Sequence, residues 1–310
     1  MVSPPGHISR KSGLAAPMGS PRFVDVGGIR TRYFEGGRGR TIVLIHGGTY
    51  GTYYNAFHWS LNFEALSART HVYAVDKIGM GYTDNPESDA GYTIARTADH
   101  LRDFLLTIGI RDAVLVGHSR GALPAARIAV TQPELVSGLV IVDSNTLGAE
   151  HPSTPRDFYA RFNEDVDGEP DEEFVLREAR ANSYSADHID PEFTHEILAV
   201  ARLPKTNAAR QAMREHDRQF RLDVHKVKYE TLDAIRDRSL DIPVLVIWGL
   251  NDNSAPVALG YELFHHIAQA VPRTRLTVFN RAGHYVYREH PREVSRAILD
   301  VIDDIDGPSA

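Results

Sequence analysis

The stretch Val114-Leu115-Val116-Gly117-His118-Ser119-Arg120-Gly121-Ala122 decides how this chain is read. Ala113 to Val116 are all apolar, as in a strand buried on both faces. Gly-x-Ser-x-Gly follows, and Ala122 to Val130 is a helix-forming run. A serine between two glycines at a strand-to-helix corner has its hydroxyl pushed out above the sheet. The glycines are needed because such a turn is strained and neighbouring elements pass close by. The start of the following helix offers unpaired N–H groups and the positive end of a dipole, which suit a developing oxyanion.

Outward from this corner, strands and helices alternate. Upstream, Arg22 to Val26 and Arg30 to Glu35 flank Gly27-Gly28 as a hairpin. Thr41 to Ile45 and His71 to Val75 read as buried strands, and Thr93 to Ile108 carries apolar residues at helical spacing. Downstream, Leu139 to Val142 is a strand ending at Asp143-Ser144-Asn145. The rhythm returns with a strand over Ile242 to Gly249, a helix over Val257 to Ala270, a strand over Arg275 to Phe279 and a closing helix over Pro291 to Ile305. This alternation predicts an α/β fold: a mostly parallel twisted sheet with helices on both faces.

Residues 146–238 interrupt it. They hold no strong strand pattern, with helices expected over 172–182, 191–202 and 206–221 and an acidic loop over 164–173. The expected organisation is therefore a core domain over 22–145 and 239–310, a helical lid over 146–238, and a loose Pro-, Gly- and Ser-rich arm over 1–21. That arm lacks the apolar core of a secretory signal.

The totals bound the function. Apolar residues make up 42% of 310, enough for a full core, and the net charge of −7 argues against nucleic acid as a partner. No cysteine is present, which excludes disulfides, thiolate metal sites and a cysteine nucleophile. No run of about 18 apolar residues exists to span a membrane. A small-molecule substrate and a cytoplasmic location are expected, with no metal or organic cofactor. A homodimer is allowed but not demanded.

Two residues line up with Ser119. Asp252 follows the strand ending at Gly249, and His284 follows the last strand after Gly283. In ligand-binding α/β sheets the site lies beyond the carboxyl ends of the strands, where all three fall. A serine hydroxyl is a weak nucleophile and needs a base. Imidazole can take its proton and return it, and an anion must fix the imidazole tautomer. Asp143, also at a strand end, is a rival for the acid. The backbone N–H groups of Gly48 and Arg120 are the expected oxyanion donors, with His46 anchoring the loop of Gly47-Gly48. Tyr50 and Tyr285 belong to a set of aromatic residues expected around the mouth, which suits an apolar or aromatic substrate.

His46-Gly47-Gly48, Asp76-Lys77-Ile78-Gly79-Met80-Gly81, Gly117-His118-Ser119-Arg120-Gly121, Gly249-x-x-Asp252-x-x-x-Pro256 and Gly283-His284 together resemble the α/β-hydrolase superfamily over residues 22–305. Val278-Phe279-Asn280-Arg281-Ala282-Gly283-His284 and the lid look like the meta-cleavage-product hydrolases, which cut a carbon–carbon bond in vinylogous 1,5-diketones. That resemblance implies a Ser119–Asp252–His284 triad and a lid arginine for the substrate's carboxylate, with Arg202 nearest and Arg210 the weaker option. The chain departs from the family at His118, Ala122 and Tyr285, where asparagine, glycine and tryptophan are usual. The substrate bond therefore stays open among ester, lactone and activated C–C. A non-hydrolytic ligand-binding protein on the same fold is the alternative.

Overall fold

The structure is a computed structural model that describes residues 18–148, 158–162, 169–238 and 240–307. Eight strands form one sheet: β1 (Arg22–Val26), β2 (Ile29–Gly37), β3 (Thr41–Ile45), β4 (His71–Val75), β5 (Ala113–His118), β6 (Val136–Val142), β7 (Val244–Gly249) and β8 (Thr274–Phe279). Their order is β1-β2-β4-β3-β5-β6-β7-β8, with β2 antiparallel to both neighbours and every pairing from β4 to β8 parallel. This is the α/β architecture expected from the alternation.

The central strands are apolar throughout because both faces are covered. Side chains alternate in direction along a strand. Val43, Ile45, Ala113 and Leu115 therefore enter one core, and Ile42, Leu44, Val114 and Val116 the other. The first core is closed by α2 (Ile94–Thr107), α3 (Ala122–Thr131) and α7 (Val257–Ala268). The second is closed by α1 (Ser60–Ser67) and α8 (Pro291–Asp306), whose Val294, Ile298, Val301 and Ile302 form one apolar stripe. Thr93 caps α2 by accepting the N–H of Arg96 at 3.0 Å.

Between β6 and β7 lie α4 (Glu172–Ala181), α5 (Pro191–Ala201) and α6 (Pro204–Arg238). Asp171 and Asp190 cap the first two by accepting the N–H groups of Phe174 and Phe193. The third runs for 35 residues, well beyond the expected end at 221. No glycine or internal proline interrupts it, and Ala209, Met213, Phe220, Val227 and Ile235 bury one stripe of it in the first core. Of the expected arm, residues 1–17 lie outside the described residues, while Met18 is buried in the second core. Residues 164–168 of the acidic stretch also lie outside them. Glu172 and Glu173 of that stretch occupy the first turn of α4, where the helix dipole favours negative charge.

Candidate active site

β5 is buried along its whole length and delivers Ser119 at its carboxyl end. Ser119 has φ +51°, a left-handed conformation that costs a non-glycine residue about 1–2 kcal/mol. The corner closes so tightly that a Cβ on Gly121 would lie 2.6 Å from the carbonyl oxygens of Ile45 and His46. Ser144, just beyond β6, steadies the corner by donating its hydroxyl to the Ser119 carbonyl at 2.7 Å.

The loop after β3 approaches from the other side. A Cβ on Gly47 would meet the His118 ring at 2.8 Å and the Ser119 Cβ at 3.0 Å, so only glycine fits. His46 Nδ1–H donates to the Gly47 carbonyl at 2.8 Å, and Nε2 accepts the Lys77 N–H at 3.1 Å. Both ring nitrogens are used by a neutral imidazole, and burial pushes His46 well below the ordinary histidine range. The loop is thereby pinned with Gly47 against the Ser119 corner.

β8 ends in a loop that carries His284 against this corner. His118 Nε2–H donates to the His284 carbonyl at 3.0 Å, and the two rings lie 4.7 Å apart. His284 Nδ1 bonds Asp252 Oδ2 at 2.7 Å, and both residues are buried. Asp252 Oδ1 accepts the N–H groups of Ser254 and Ala255, each at 2.8 Å, so the carboxylate orientation is fixed by the turn after β7. This pairing holds Nδ1 as the donor and leaves Nε2 with the lone pair. Nε2 has no hydrogen-bond partner among the described residues, so no Ser119–His284 bond is formed in this state.

Electrostatics separate His284 from its neighbours. Burial alone would lower its pKa, but the Asp252 carboxylate and its hydrogen bond outweigh that and raise it above the ordinary value. His46, His58, His118 and His188 are buried nearby with no such anion and are all pushed down. Of these five, only His284 is built to hold a proton near neutrality. Asp143 does not touch His284. Its Oδ1 accepts the Gly249 N–H at 2.8 Å and its Oδ2 has no partner among the described residues. Burial, then the Asp252 charge, lifts the Asp143 carboxyl well above the carboxylate range.

The expected substrate residues scatter. Tyr285 lies beside the site, fully buried, its hydroxyl donating to Glu178 at 2.7 Å. Tyr50 is turned into the first core. Its hydroxyl bonds the Gly91 and Thr93 carbonyls and Thr97, and its ring packs on Tyr92. Arg202 is not brought to the triad either. Its side chain follows the end of α5, is 45% exposed and donates to the Pro170 carbonyl. Arg210 has its backbone against Gly51 and its guanidinium 5.8 Å from the Phe174 ring.

Sequence reasoning missed a buried polar group from the insertion. Glu178 on α4 accepts the hydroxyls of Tyr54 and Tyr285 and the amide of Asn182, one helical turn on. The Asn182 side-chain amide also donates to Ser254 Oγ at 3.0 Å, and the Asn182 backbone carbonyl accepts the His284 N–H at 2.8 Å. The insertion is thus tied to both the acid and the histidine loops. The i, i+4 spacing of Glu178 and Asn182 was the available signal, but it stands among many charges and does not by itself mark a buried pair.

A family model described as alpha/beta hydrolase fold matches residues 40–291. A 2-hydroxy-6-oxo-6-(2'-aminophenyl)hexa-2,4-dienoic acid hydrolase of Metapseudomonas resinovorans is 28% identical over 97% of this chain and 96% of its own length. A 2-hydroxymuconate semialdehyde hydrolase of a Pseudomonas strain is 28% identical over 94% and 98%. Among solved structures, a meta-cleavage product hydrolase from Pseudomonas fluorescens IP01 superposes with a TM-score of 0.76 at 23% identity, over 93% of this chain and 98% of that one. With the family model spanning most of its length and the sheet order and strand-end loops in agreement, this chain belongs to the alpha/beta hydrolase fold family.

Proposed function

We propose that this protein is a serine hydrolase that cleaves an activated carbon–carbon bond in a dienoate ring-fission product, with Ser119 as nucleophile, His284 as base and Asp252 as its orienting acid. The observation that carries the reading is the Asp252–His284 pair, buried and set directly against the strained Ser119 corner. The dienoate substrate class comes from the relatives, whose names specify 2-hydroxy-6-oxo-dienoic acids and 2-hydroxymuconate semialdehyde.

In this reading, Ser119 Oγ attacks the substrate carbonyl carbon and its proton passes to His284 Nε2. The tetrahedral oxyanion is held by the backbone N–H groups of Gly48 and Arg120. From the keto tautomer of the dienoate, in which the enol proton has moved to the carbon beside the cleaved bond, that bond then breaks, its electron pair delocalising through the enone as a dienolate, and His284 returns the proton to that fragment. Water, deprotonated by His284, frees the acyl group and restores Ser119. The insertion acts as a lid that keeps bulk water from these steps.

A fluorophosphonate probe on folded protein tests the nucleophile: labelling at Ser119 is expected, and an unlabelled protein favours the ligand-binding alternative. Turnover of a dienoate ring-fission product, compared with p-nitrophenyl esters and lactones, tests the bond. A kcat/KM for the esters or lactones well above that for the dienoate would move the assignment to an esterase or lactonase.

A further inference from the structure

The loop after β6 carries a buried hydroxyl that bears directly on the nucleophile residue. Ser144 is fully buried, and its hydroxyl donates to the Ser119 carbonyl at 2.7 Å. The same oxygen accepts the Leu147 N–H at 3.2 Å, so donor and acceptor roles are both taken. The Ser144 carbonyl accepts the Gly148 N–H at 2.9 Å, and the neighbouring Asn145 amide donates to the Ser254 carbonyl at 3.1 Å. Ser144 is thus held in place by its own loop and by the loop that carries Asp252.

Its bond reaches further than the atom it touches. The peptide unit that begins at the Ser119 carbonyl ends at the Arg120 N–H. A trans peptide is planar, with C=O and N–H pointing in opposite directions, so fixing the carbonyl aims the N–H. Arg120 is the second residue of the 3₁₀ turn Ser119–Gly121, where an N–H has no carbonyl of its own helix to reach. The Ser119 carbonyl also accepts the Ala122 N–H within that turn, so Ser144 supplies its second donor. One donor alone would leave the peptide plane free to tilt about that single bond. A hydrogen bond to the carbonyl also polarises the peptide and strengthens its N–H as a donor. The facing loop repeats the arrangement: His46 donates to the Gly47 carbonyl at 2.8 Å, and that peptide unit ends at the Gly48 N–H.

We propose that Ser144 is a positioning residue for the oxyanion hole, which aims and polarises the Arg120 N–H through the Ser119 carbonyl. The proposal rests on the hydrolase reading, in which that N–H receives the oxyanion. Ser144 acts through one peptide group and makes no bond to His284 or Asp252. It therefore governs how well an oxyanion is held, and not how readily His284 takes a proton.

The test compares two active-site probes, an alkyl fluorophosphonate and its thio analogue with sulfur in place of the phosphoryl oxygen. In both, Ser119 Oγ bonds to phosphorus as fluoride leaves, and the serine proton passes to His284. Sulfur accepts hydrogen bonds weakly, so the oxo probe depends on the oxyanion donors more than the thio probe does. Losing an oxyanion donor outright costs about 10²–10³ in rate, and losing its aim should cost less. Ser144→Ala should therefore slow labelling by the oxo probe about tenfold and by the thio probe less than about threefold. The acid midpoint of the labelling pH profile should stay at its wild-type value. An unchanged oxo rate, an equal loss for both probes or a shifted midpoint would each overturn the proposal, and the last two would mean that the corner as a whole had loosened. Should Ser144→Ala fail to fold, Ser144→Cys, whose thiol is a weak donor, decides by the same oxo-to-thio comparison. A wild type that neither probe labels overturns the hydrolase reading, and this proposal with it.

Discussion

Asp143 and Asp252 lie at the ends of neighbouring strands, yet their surroundings differ. Asp252 accepts two backbone N–H groups and the His284 ring, whereas Asp143 has one backbone donor and a buried oxygen without a partner. Asp252→Asn should therefore lower kcat about 10⁴-fold by removing the anion that sets the imidazole tautomer, while Asp143→Asn should leave kcat within a few-fold; the reverse order in steady-state kinetics would make Asp143 the acid. Asp143 also predicts a stability trend. Its folded pKa is raised, so the folded chain keeps a proton that the unfolded chain releases above about pH 4. Stability is lost as pH rises from there toward the folded pKa, and Asp143→Asn removes that loss. The Tm of the variant relative to wild type should climb between pH 4 and 7. For His284, the raised pKa places the acid limb of kcat/KM above pH 6.5, because the base works only when neutral. A pH profile with its midpoint below 6.5 would contradict the Asp252–His284 assignment.

At the scale of elements, the strands were legible in the sequence because those buried on both faces must be continuously apolar, as Val114 to Val116 and Val244 to Ile247 are. The strand-end loops were legible because Gly47, Gly121 and Asp252 sit at positions that only their residue types satisfy. The insertion was not legible in the same way. Its helices bury narrow stripes under charged faces, so the sequence pattern ends α6 at 221 and does not single out Glu178. Arg202 was placed by chain position alone, which does not say which way a helix end faces. The link from α4 to the loops of Ser254 and His284 yields a prediction. Asn182→Ala leaves the Glu178 carboxylate and the Ser254 hydroxyl each short of a donor, at a cost of about 1–3 kcal/mol. It should lower kcat more than it raises KM, since Ser254, which also bonds Asp252, loses its support; a KM effect alone would confine Asn182 to substrate binding.

For the molecule as a whole, the insertion and the sheet share one apolar core. Phe220, Val227 and Ile235 of α6 pack in the same cluster as Leu115 and Ile141 of the central strands. Scanning calorimetry should therefore give one cooperative transition, and a separate earlier transition for the insertion would contradict this packing. Global stability also bears on Ser119. Its φ of +51° is unfavourable for every residue but glycine, and the whole fold holds it there. Ser119→Gly should accordingly melt above both wild type and Ser119→Ala, although it has no nucleophile. The chain would be sturdier if it were inert, so selection for robustness and selection for reactivity pull this one position in opposite directions.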